Sequence, residues 1–205
     1  MLTIYGVHRS RASRNIWLAH ELGIPFKQVP VIQHYRVKEP APPGTIHTRS
    51  PEFLKVNPNG HIPSVDDEGV ILHESLAINL YLAKKHGGPL APANVLEDGQ
   101  MTMWALWAAT EVESPALSLL QNGVTETAMA ALRGPFSVLD AALASGFLVG
   151  SRFTVADINT AEIVRYAQGA TALFDAAPRV KSWLAACHAR PAFRRMWEAR
   201  DKEPA

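Results

Sequence analysis

Three short stretches in the first 82 residues hold side chains whose types and spacing suit chemistry. In His8-Arg9-Ser10-Arg11-Ala12-Ser13-Arg14, hydroxyls stand among arginines just before a helix-forming run. The free N–H groups and positive dipole end of a helix start attract an anion, so this stretch suits a thiolate or a carboxylate. The plainer alternative is that Ser10 or Ser13 caps the helix and the arginines are solvated. In Gly60-His61-Ile62-Pro63-Ser64-Val65, a proline leads a strand, which marks a sheet edge or a turn with a cis bond. Either arrangement leaves Ile62 backbone groups open to pair with a peptide, and an ordinary edge strand guarded by proline is the alternative. In His73-Glu74-Ser75, Ser75 is expected as an N-cap whose adjoining N–H groups bind a carboxylate, while Glu74 accepts an ammonium. A capping serine beside a surface glutamate is the alternative. A carboxylate and an ammonium on neighbouring atoms describe an amino-acid end, and the three stretches together describe a site for a small peptide.

The elements that must position these residues follow from apolar periodicity. Leu2 to Tyr5 reads as a strand, and Ser13 to Leu22 as a helix closed by Gly23 and Pro25. Phe26 to Ile32 reads as a second strand, and residues 33 to 50 as a polar, proline-rich loop. SPEFLKVNPNG is a short helical turn. His61 to Val65 and Val70 to Leu72 form a hairpin around Asp66 to Gly69, and a helix runs from Ser75 through Leu82. The order βαβ, short α, ββα asks for a sheet of about four strands with helices against it. In such a sheet, ligands settle beyond the carboxyl ends of the strands, where the first stretch lies.

Lys84 to Gly99, KKHGGPLAPANVLEDG, separates this mixed half from a helical one. The expected organisation is a first domain over 1–83, a linker over 84–97 and an all-helical domain over 98–205. Five helices are expected after the linker: Gln100 to Gln121, Thr127 to Leu143, and three opened by Thr154 with Asp157, by Pro178 and by Pro191.

Composition narrows the function classes. Lys and Arg number 20 against 19 Asp and Glu, so the bulk basic excess of a phosphate-neutralising nucleic-acid binder is missing. The single cysteine, Cys187, forbids an internal disulfide and leaves no thiolate zinc cluster, so no metal is expected. No apolar run reaches the roughly 18 residues of a membrane span, and the N-terminus lacks the order of a secretory signal. A cytoplasmic protein with no nucleic-acid or membrane partner is the expectation.

SPEFLKVNPNGHIPSVDDEGVILHESLAINLYLA, with its N-P-x-G-x-[IV]-P and E-S-x-A-I elements, resembles the glutathione-site signature of the cytosolic glutathione transferases. FLVGSRFTVADI resembles the capping box of that family's helical domain, and the likeness runs from Met1 to about Pro191. The chain looks like a serine-type, bacterial theta/phi-like member. The resemblance implies an α/β thioredoxin-like N-terminal domain, an all-α C-terminal domain, and a homodimer that uses glutathione as co-substrate without metal. It assigns Ser75 to the γ-glutamyl carboxylate, Glu74 to the amino group, and Ile62 to the cysteinyl backbone beside a cis Pro63. Arg49, His47 and His61 stand where related classes bind the glycyl carboxylate.

The resemblance implies that a tyrosine, serine or cysteine just after the first strand activates the thiol; Tyr5 lies within the strand, no cysteine is near and Cys187 is far along, which leaves Ser10 with Ser13 in reserve. Arg11 or Arg14 would add positive charge. The family's disulfide-reducing classes carry a cysteine where this chain has Ser10, and RSRASR departs from the Ser-Ser-Cys pattern of its isomerases. The implied activity is conjugation of glutathione to small hydrophobic electrophiles, a detoxification chemistry. Alternatives are a glutathione peroxidase or isomerase, a non-catalytic glutathione- or ligand-binding protein, or an interaction module like some translation-linked relatives. The electrophile would meet Met103, Trp104, Trp107 or Glu111 on the first long helix, although aromatic residues at helical spacing also serve as core. RPAFRRMWEAR reads as a solvated final helix that in this fold can also roof the electrophile pocket.

Overall fold

A computed structural model describes residues 1–38 and 40–203. In β1 (Leu2–Tyr5), Leu2 and Ile4 are buried and alternate with half-buried neighbours. β2 (Phe26–Val29) runs parallel to β1, while β3 (Ser64–Asp67) and β4 (Val70–His73) are antiparallel, giving the order β2-β1-β3-β4. The expected second strand stops at Val29 because Pro30 has no N–H to extend the ladder, and Ile32 makes only an isolated bridge to His47. Pro63 shortens the expected third strand for the same reason. Glu68 and Gly69 both have positive φ (58° and 92°), the geometry of a two-residue hairpin turn that matches the twist of its strands.

α1 (Ala12–Leu22) buries Ile16, Trp17, Leu18 and Ala19 completely and ends at left-handed Gly23, as its sequence signal implied. α2 (Pro51–Leu54) is one turn, and α3 (Ser75–His86) runs past the expected linker start. The chain forms two compact units, one from Met1–Tyr81 with the segment from Pro191 onward, the other Leu82–Arg190.

The second unit is helical among the described residues. α4 (Val95–Trp107), a π turn over Ala108–Val112 and α5 (Glu113–Asn122) replace the single expected first helix. α6 (Glu126–Ala142), α7 (Val155–Val164), α8 (Thr171–Ala176) and α9 (Pro178–His188) follow. Every residue of α7 is buried, and Thr154 with Asp157 forms its capping box. Asp157 also accepts from Leu148 N and Trp183 Nε1 at 3.2 and 2.9 Å, so the box ties α7 to α9.

The final helix, α10 (Pro191–Lys202), was expected in the helical domain but packs in the first unit. Phe193 and Met196 are buried, and Phe193 meets Trp17 of α1 edge-on at 5.0 Å. This apolar stripe needed a partner face, and α1 supplies it. No described helix is long and apolar enough to cross a membrane.

Candidate functional site

Between β1 and α1, Ser10 Oγ donates to Val7 O at 2.6 Å and accepts from Ala12 N at 3.1 Å. The hydroxyl therefore satisfies one of the free N–H groups at the helix start, although Arg11 and not Ser10 holds the N-cap position. Ser10 is half-exposed, Arg11 is exposed at the N-cap, and Ser13 is 0% exposed, which takes Ser13 out of reach of a ligand. Gly6 has φ 147°, and a Cβ there would sit 2.8 Å from the Ala12 Cβ, so the loop closes on α1 only with glycine. The same Cβ position lies 3.7 Å from Ser10 Oγ and 3.6 Å from the Ile62 Cβ. Two of the three predicted stretches thus meet around one glycine.

The Ile62–Pro63 bond is cis, one of the two arrangements its sequence allowed. Buried Asn57 holds this corner: its Nδ2 donates to His61 O at 2.8 Å and Ser64 Oγ at 3.1 Å, and its Oδ1 accepts from Asn59 N. By its sequence Asn57 marks only part of a turn. Its place just before Pro58 was the available signal.

Ser75 is not the N-cap of α3. The Glu74 carbonyl accepts the first helical bond from Ile78 N, which makes Ser75 the first residue inside the helix. Glu74 has φ 65°, a left-handed conformation that costs a residue with a Cβ about 1 kcal/mol or more and often marks functional sites. Ser75 is buried, and its Oγ accepts from Arg14 Nη1 at 3.0 Å. Arg14 is 1% exposed, so its charge faces Ser75 from the interior and not the loop where a thiolate was expected. Asn15 Nδ2 donates to Ser75 O and Asn79 Oδ1 at 2.8 and 2.7 Å, which locks α1 to the start of α3. Asn15 and Asn79 lay inside helical runs whose apolar periodicity hid them.

The looser candidates gather in the loop between β2 and α2. The His47 ring lies 5.0 Å from that of His34, and Arg49 N donates to His47 Nδ1 at 3.2 Å. Gly60 presses against this segment, since a Cβ there would come within 2.7 Å of Thr48 O, and exposed His61 follows it. His47, Arg49 and His61 thus belong to adjoining segments, and His34 joins them unexpectedly.

In the second unit, Trp104 is 8% exposed and packs as core, edge-on to half-exposed Trp107 at 5.0 Å. This packing is the core alternative that aromatic residues at helical spacing also offered. Met103 and Glu111 are exposed, and Glu111 lies within the π turn, a feature frequent at functional sites.

Two sequence families match the chain: "Glutathione S-transferase, N-terminal domain" over residues 4–90 and "Glutathione S-transferase, C-terminal domain" over 121–191. Glutathione S-transferase 3 of Zea mays is 31% identical over 220 residues, covering 95% of this chain and 92% of that one. Elongation factor 1-gamma 2 of Oryza sativa is 34% identical over 124 residues, 55% of this chain; the match spans only 30% of the elongation factor's length. A theta class glutathione S-transferase from Xanthomonas axonopodis pv. citri, solved with glutathione bound, superposes with a TM-score of 0.73 at 25% identity over 95% of both chains.

Proposed function

Since the chain belongs to the glutathione S-transferase family of enzymes, we propose that it conjugates the glutathione thiolate to small hydrophobic electrophiles, with Ser10 as the activating group. The observation that carries this reading is the half-exposed Ser10 hydroxyl at the start of α1, held by Val7 O and Ala12 N. A thiol with a pKa of about 8.5 is only a few per cent thiolate at pH 7. Lowering it by about two units needs roughly 2.7 kcal/mol of preference for the anion. A hydroxyl hydrogen bond and a helix N-terminus are together of that size, and exposed Arg11 adds to them. A hydroxyl has one hydrogen, so donation to sulfur means release from Val7 O. The bond from Ala12 N keeps the oxygen in place while the hydrogen turns.

In this reading the glutathione thiol gives its proton to solvent. The thiolate attacks the electrophilic carbon, and the leaving group departs with the bonding electron pair. Ser75 and the first N–H groups of α3 take the γ-glutamyl carboxylate, with Arg14 behind them, and Glu74 takes the amino group. Ile62 pairs with the cysteinyl backbone beside Pro63, while His47, Arg49 and His61 serve the glycyl carboxylate. Trp107 and Glu111 are the open candidates for the electrophile. The chemistry is detoxifying and its setting cytoplasmic.

A homodimer is proposed as well. Leu96, Met103 and Leu106 are 76%, 50% and 62% exposed and share one side of α4, and a second copy would cover them.

Ser10→Ala is expected to leave glutathione affinity nearly intact and reduce turnover of a chlorinated nitroaromatic by about 10² or more. The same loss from Ser13→Ala would contradict the assignment. A substrate panel separates conjugation from peroxidase or isomerase activity. The local likeness to elongation factor 1-gamma favours one second reading, an interaction module with a vestigial site, and failure to bind immobilised glutathione would support it.

A further inference from the structure

We propose that Glu203, just beyond α10, is a positioning residue for Ser10, fixing the backbone of His8 and Arg9 and hence the place of the hydroxyl that follows them. This rests on the reading that Ser10 activates the thiol.

The loop from Gly6 to Arg11 has no ladder of its own beyond its ends, so its backbone groups need partners from elsewhere. His8 N and Arg9 N both donate to the Glu203 carboxylate, at 2.8 and 2.9 Å. His8 O accepts from Arg200 Nη1 at 2.8 Å, and Arg9 O from Arg36 Nη1 at 3.1 Å. All four backbone polar groups of the two residues before Ser10 are thus held by charged side chains from distant segments. Glu203 is bound in return: its Oε1 lies 2.7 Å from His8 Nδ1, and its carbonyl accepts from Arg9 Nε at 3.1 Å. Burial works to raise the Glu203 pKa, but the bonds from the His8 ring and from the two backbone N–H groups outweigh it and hold the carboxyl below its ordinary range. It is ionised at neutral pH, and bonds to an ionised acceptor are roughly twice as strong as neutral ones.

The anchor is itself fixed, because Phe193 stacks on Trp197 at 5.4 Å and meets Trp17 of α1. The C-terminal segment therefore carries a carboxylate to the strand-to-helix loop from the side of α1. Without it, the His8 and Arg9 N–H groups lose their acceptor and the loop has alternative conformations in which Ser10 is displaced. Catalytic geometry is sensitive to displacements of this kind.

The test uses the full chain. Glu203→Ala is expected to lower kcat with a chlorinated nitroaromatic about tenfold and to hold the glutathione Kd within about twofold. It should also raise the pKa of the bound glutathione thiol, read from ultraviolet thiolate absorbance, by about one unit. Glu203→Gln, which keeps one acceptor oxygen, should fall between Ala and wild type. Glu203→Ala combined with Ser10→Ala should be no slower than Ser10→Ala alone, since both act on one hydroxyl. A Ser10→Ala protein with an unchanged bound-thiol pKa overturns the Ser10 reading and this one with it. A shifted pKa in Ser10→Ala but not in Glu203→Ala or Glu203→Gln overturns this inference alone.

Discussion

Arg14 Nη1 donates to Ser75 Oγ across 3.0 Å inside the first unit, and Arg14 is almost wholly buried. An interior guanidinium behind the first residue of α3 raises the pull of that helix start on an anion. In the proposed reading, Ser75 donates its own hydrogen to the ligand while its oxygen accepts from Arg14.

Ser75→Ala should therefore raise the glutathione KM about tenfold or more and leave kcat at saturation within about twofold, the pattern of lost uniform binding. It also deprives a buried donor of this acceptor, at a cost of about 1–3 kcal/mol in unfolding free energy. Steady-state kinetics and denaturant titration measure the two effects separately.

Glu74 combines a proposed ammonium contact with a left-handed backbone, and two substitutions divide these roles. Glu74→Ala and Glu74→Gly should both weaken glutathione binding by about tenfold, a charge-assisted hydrogen bond's worth. Glycine relieves the backbone cost, so Glu74→Gly should be more stable than Glu74→Ala by about 1 kcal/mol. Equal stabilities would contradict the strain.

Burial lowers the His188 pKa to about 4, with Arg165 adding to the fall and Glu162 opposing it. Between about 4 and 6.5 the unfolded chain binds a proton at His188 that the folded one does not. This contribution to stability is complete above pH 6.5 and is lost as pH falls toward 4, about 3 kcal/mol in all. Asp157, raised by burial against bonds from Trp183, Thr154 and Leu148, acts with the opposite sign above its ordinary value. Comparing wild type with His188→Gln isolates the histidine: the variant should lose less stability between pH 7 and pH 5.

A charge on the exposed side of α4 should break a dimer formed through it. Leu106→Glu is expected to sediment as a monomer while wild type sediments as a dimer, and identical behaviour would contradict the proposed contact.

Much of the first unit was legible because its signals are local. Gly23 closed α1, the acidic turn ending in Gly69 closed the hairpin, and Thr154 with Asp157 opened α7. What stayed hidden depends on distant partners. Nothing near Pro191 says that α10 packs on α1, and nothing near Glu203 says that it reaches His8. Ser75 looked like a cap because serine favours that position, yet the left-handed turn at Glu74 moved the cap back by one residue. Six-residue α8 was too short for a periodic signal, and the π turn at Ala108 leaves no mark in composition.

The most direct measurement is a pH titration of glutathione bound to the wild-type protein and to Ser10→Ala, followed by thiolate absorbance. Wild type should ionise about two units below free glutathione, and Ser10→Ala should return most of that shift while binding the tripeptide nearly as well. A thiol that ionises at the same pH in both proteins would contradict Ser10 as the activating group.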